Sequence, residues 1–101
     1  MSMSSDNQMA LISLYKTFQE AVESKNKEQL QNVCQGTYEF LSHEIGKQTI
    51  NNEGTVMFLL QELVKAMKEL QKKSKDIPNQ AILHLSRVSN VLEEYVPKKY
   101  Q

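Results

Sequence analysis

The side chains best suited to metal or nucleophilic chemistry in this chain are His43, His84 and the lone cysteine, Cys34. A carboxylate-bridged metal pair inside a helical bundle needs a glutamate three residues before each histidine. Here Phe40 precedes His43 by three and Ala81 precedes His84 by three, so that pattern is missing. Glu39 and His43 are one helical turn apart, but two ligands do not make a site. The spacing predicts two solvated histidines on helix flanks. Cys34 falls among apolar residues at helical spacing, away from the helix start or cationic neighbour that activates a thiolate. It is expected to be buried and inert. The chain has no G-x-S-x-G, no glycine loop to cradle phosphate and no Cys-x-x-Cys. Its acidic residues are dispersed. The residues therefore predict no enzyme, no catalytic or metal site and no cofactor.

One stretch is locally basic. Lys65, Lys68, Lys72, Lys73 and Lys75 lie close together, opposed there only by Glu69. Lysines near a helix C-terminus complement its dipole. They could also meet an acidic surface or anionic lipid headgroups. Over the whole chain, 12 basic and 12 acidic side chains cancel, which argues against a broad nucleic-acid surface. No apolar run is long enough to span a bilayer. The opening "MSMSSDNQMA" lacks the basic and apolar regions of a secretory signal. One cysteine allows no internal disulfide, which fits a reducing cytosol.

Helices must position these groups. Leu11, Leu14, Tyr15, Phe18, Ala21 and Val22 recur at helical spacing, with Ser4, Ser5 and Asp6 as N-cap candidates and Ser5–Gln8 as a capping box. Asn26 should cap a second helix that carries Leu30, Val33, Cys34, Thr37, Tyr38, Leu41 and Ile45. Gly46 is placed as its left-handed C-cap. Gly36 lies inside that helix, where it would let a neighbouring backbone approach. "GKQTINNEG" reads as the widest loop, with Thr49, Asn51 and Asn52 as candidate caps. The third helix carries the seam Val56, Leu60, Leu63, Met67 and Leu70 and ends near Lys73 or Ser74. Its start, Val56 to Leu60, is apolar all round, so Met57 and Phe58 are expected to be buried. Asp76 should cap a fourth helix with Pro78 in its first turn. Ala81, Leu85, Val88, Leu92 and Tyr95 form the stripe of that helix, and Pro97 stops it.

The expected architecture is all-α: one domain over 1–101, an antiparallel up-down-up-down four-helix bundle. Its helices cover about 6–24, 27–45, 53–73 and 78–95, with a flexible tail at 97–101. The seam should face the other three helices.

This layout resembles the immunity proteins of pediocin-like bacteriocins. The resemblance runs from "MALISLYKTFQEAVES" through "NKEQLQNV", "VMFLLQELVKAMKEL" and "LHLSRVSNVLEEY" to "LEEYVPKKY". Leu85, Ser89, Asn90 and Tyr95 match the family's helix ending and tyrosine-bearing tail in kind. The resemblance implies a non-catalytic protein in the cytosol, at most in peripheral contact with the inner face of the membrane. There it locks onto a membrane permease seized by the bacteriocin and keeps the pore shut. It places partner recognition in the fourth helix and tail, on Arg87, Glu93, Glu94, Tyr95, Lys98, Lys99 and Tyr100. A monomer or weak dimer is expected. The alternative is a small adaptor that binds a partner helix through the third helix, with Met57 and Phe58 as the contact residues.

Overall fold

The computed structural model describes residues 5–73 and 75–101, with side chains from Asn7 onward. The protein is all-helical. Its elements are α1 (Ser5–Ser24), α2 (Lys27–Ser42), α3 (Glu44–Ile50), α4 (Glu53–Leu70), α5 (Asn79–Glu93) and a 3₁₀ turn at Lys98–Tyr100. The described residues form no strand. The capping roles expected of Ser4, Ser5 and Asp6, the Ser5–Gln8 box and a helix end at Ser74 lie outside the described residues.

Short polar side chains turn the chain between helices. Lys25 takes a left-handed conformation (φ 53°), and Asn26 then caps α2 by accepting a hydrogen bond from the Gln29 amide at 3.0 Å. Asn52 caps α4 in the same way, through the Thr55 amide at 3.0 Å. No side-chain cap serves α5; Pro78 is its N-cap residue, and Asp76 does not take that role.

The expected second helix is two helices. Extended backbone at His43 (φ −85°, ψ 156°) ends α2 and starts α3. The break turns Ile45 out of the apolar stripe and into solvent. Gly46 is not a left-handed cap; it lies inside α3, where a Cβ would stand 1.8 Å from the Phe40 carbonyl oxygen. The left-handed cap is Asn51 (φ 51°), a short polar residue that tolerates this region. The nine-residue loop expected here shrinks to Asn51 and Asn52. Around Gly36 the correction runs the other way, because a Cβ there would meet nothing within 4 Å.

Each long helix turns one apolar face inward. Leu11, Tyr15, Phe18, Leu30, Leu41, Leu63, Leu85 and Leu92 are fully buried, each a gain of about 1.5–3 kcal/mol. On α4 the buried edge is rotated from the expected seam. Leu59, Glu62 and Ala66 are deep, whereas Leu60 and Met67 are half-buried. The helices pack in a ring, α1 on α2, α2 on α4, α4 on α5 and α5 on α1, and α3 rests on α1, α2 and α4. The Cα extents, 46 × 26 × 17 Å, match two layers of helix.

Candidate functional site

Burial of Glu62 on the inner side of α4 leaves a carboxylate with 3% of its surface exposed. Such a group needs partners, and α5 supplies two. His84 Nδ1 lies 2.5 Å from Glu62 Oε2, and Arg87 Nη1 lies 3.5 Å from Oε1. Lys65, one turn along α4, is 3.9 Å from Oε1. The expected solvated His84 is thus half-buried and engaged. Nothing in the local sequence signals this cluster, because the glutamate and histidine are 22 positions apart.

Among the described residues no group of three or more His, Cys, Asp or Glu could hold a metal ion. His43 is exposed and stands at the break between α2 and α3. Cys34 is buried as expected, and burial pushes its thiol up to about 12. Tyr15 is raised too, first by burial and then by the charge of Glu93, although a hydrogen bond from Gln19 Nε2 at 2.7 Å works against the shift. The buried hydroxyl of Thr37 donates to the Val33 carbonyl at 2.7 Å.

The seven residues expected to meet a partner do not form one patch. Arg87 points toward α4 and Glu62. Glu93 faces Tyr15 on α1, and Tyr95 packs against the core. Glu94, Lys98 and Lys99 are exposed. The tail, expected to be flexible, is a 3₁₀ turn held at several points. Gln101 Nε2 donates to the Glu93 and Val96 carbonyls, each at 2.9 Å. Two ammonium groups approach the Tyr100 ring, Lys16 at 5.5 Å and Lys99 at 5.1 Å from its centroid.

Met57 and Phe58 are 55% and 39% exposed, against the expectation of burial. The outer face of α4 is therefore open, as a partner-binding role for this helix requires. At its far end, Gln31 Nε2 donates to the Leu70 carbonyl at 3.0 Å and Lys27 Nζ to the Lys72 carbonyl at 2.6 Å. Lys72 pairs with Glu69 at 2.8 Å. Among the described residues no helix is long and apolar enough to cross a membrane. No family model matches the chain, and neither a curated protein nor a solved structure matches it.

Proposed function

We propose that this protein is a non-catalytic immunity protein of the pediocin-like bacteriocin type. In this reading α1, α2, α4 and α5 run up, down, up and down as one bundle, and α3 is a spur on its rim. The protein works from the cytosolic side of the membrane and binds a permease already seized by the toxin. One observation carries the reading: Cys34, Glu62 and His84 are turned inward to structural use, and of the groups suited to chemistry His43 alone is exposed. Cys34 is buried, and Glu62 is spent on His84 and Arg87. Of the seven expected contact residues, Glu94, Lys98 and Lys99 face outward, with part of Tyr100 and half of Arg87. Glu93 and Tyr95 hold this segment in place, so recognition falls to the outward groups.

The test is protection of a living cell. A bacteriocin-sensitive host expressing the chain should survive at least one member of a panel of pediocin-like peptides. Replacing Lys98 and Lys99 by alanine should lower protection and leave the melting temperature unchanged. Undiminished killing by every peptide in the panel would end the proposal.

A further inference from the structure

The zero net charge of the chain conceals a separation of charge. Among exposed side chains, α1, α2 and the turn between them carry Glu20, Glu23, Glu28 and Glu39 against Lys16 and Lys25. The exposed charges on α4 and on α5 with its C-cap are Lys65, Lys68 and Arg87 against Glu53 and Glu94. The segment joining these two helices adds Lys72, Lys73 and Lys75 against Asp76. Among the described residues, Lys68, Lys73 and Lys75 make no ion pair. Glu62 lies buried beneath this face and offsets part of the charge of Lys65 and Arg87, which leaves Lys68, Lys73 and Lys75 as the unpaired cations of the face among the described residues.

The basic side is also where large apolar groups reach solvent. Met57, Phe58, Gln61, Lys65 and Lys68 are all exposed and, at 100° per residue, fall within about 100° of arc on α4. Exposed Leu83 lies one turn before Arg87 on α5. Apolar side chains interleaved with lysines, with Glu62 and Glu69 turned toward the core at the edge of the arc, make up the face of a helix that lies in a bilayer interface. The ammonium groups meet lipid phosphates, and Phe58 and Met57 enter the acyl boundary.

We propose that the exposed face of α4 and α5 docks on an anionic lipid bilayer. This inference does not depend on the immunity reading. Charge complementarity selects the occupant. A second copy laid along α4 in parallel would set lysine against lysine, and laid antiparallel it would set lysine against Met57 and Phe58. Nucleic acid is disfavoured because this face has one arginine and a single aromatic ring for base stacking.

The chain contains no tryptophan, so Phe58→Trp is a background-free reporter. The full chain would be mixed at low salt with phosphatidylglycerol-containing vesicles, with phosphatidylcholine vesicles and with polyglutamate. Binding is expected to the first alone, with a blue shift of the Trp emission. Lys65→Gln with Lys68→Gln should weaken that binding by roughly 25-fold, about fivefold per lysine. Lys16→Gln with Lys47→Gln, which removes equal charge elsewhere, should weaken it far less. Absence of binding to the anionic vesicles would overturn the proposal. So would equal loss in the two double variants, which is a nonspecific charge effect. Equal affinity for polyglutamate without a Trp shift would also overturn it and reassign the face to an acidic protein partner.

Discussion

Glu62 of α4 and His84 of α5 meet at 2.5 Å, and through this contact a carboxylate is kept inside the protein. Its two other partners are weaker: Arg87 is 47% exposed, and Lys65 is near the distance limit of an ion pair. The three basic groups should therefore matter unequally.

His84→Ala leaves the carboxylate buried without its closest partner and should cost about 2–3 kcal/mol. Arg87→Ala should cost less than about 1 kcal/mol, because solvent already screens the guanidinium. Urea unfolding measures both. Equal costs would mean that the imidazole contact is not the principal one.

The two glycines of the α2–α3 region should respond with opposite sign. Gly46→Ala drives a methyl group into the Phe40 carbonyl, and the backbone must move; a loss of at least about 3 kcal/mol is expected. Gly36→Ala meets open space on a helix and should add about 0.5–1 kcal/mol. Thermal unfolding of the pair tests both the close approach and its absence.

Alkaline pH should destabilise the protein through Cys34. Its thiol ionises near 9.0 when the chain is unfolded and near 12 when folded. The stabilising contribution is complete below pH 9 and declines as pH climbs toward 12, because only the unfolded state releases the proton in that window. The slope is about 1.4 kcal/mol per pH unit. Tyr15, also raised, adds in the same direction above its ordinary value of 10.0. Cys34→Ala should flatten the lower part of the decline. In the native protein at neutral pH, thiol reagents should label Cys34 only at the rate at which the fold opens.

Residues of α4 should divide sharply by face. Leu63→Ala empties a fully buried site and should cost about 2–5 kcal/mol. Phe58→Ser, on the open side, should change stability by less than about 1 kcal/mol. A large loss from Phe58→Ser would show that its ring is held in the core.

The helical stripes and the two asparagine caps were legible because each is a local pattern. Asn26 and Asn52 satisfy amides three residues ahead, within the reach of sequence reading. The break at His43 was not legible. Apolar spacing runs smoothly from Leu41 to Ile45, and only contact between Gly46 and the Phe40 carbonyl reveals why α3 packs as it does. Burial of Glu62 was hidden for a related reason: a glutamate is charged in any sequence, and its neutralising partners come from another helix. Met57 and Phe58 misled because an apolar surround at a helix start fits burial and exposure equally well. The tail's contacts were not legible because its partners, Lys16 and the Glu93 carbonyl, are brought to it by the fold.

The opposed charge of the two sides has a consequence for handling the protein. At neutral pH and low ionic strength it should be retained by both quaternary-amine and sulfonate resins. The glutamates of α1 and α2 would grip the first and the lysines near α4 the second. A chromatographer who relied on its formal balance of 12 cations and 12 anions would expect it in the flow-through of each column.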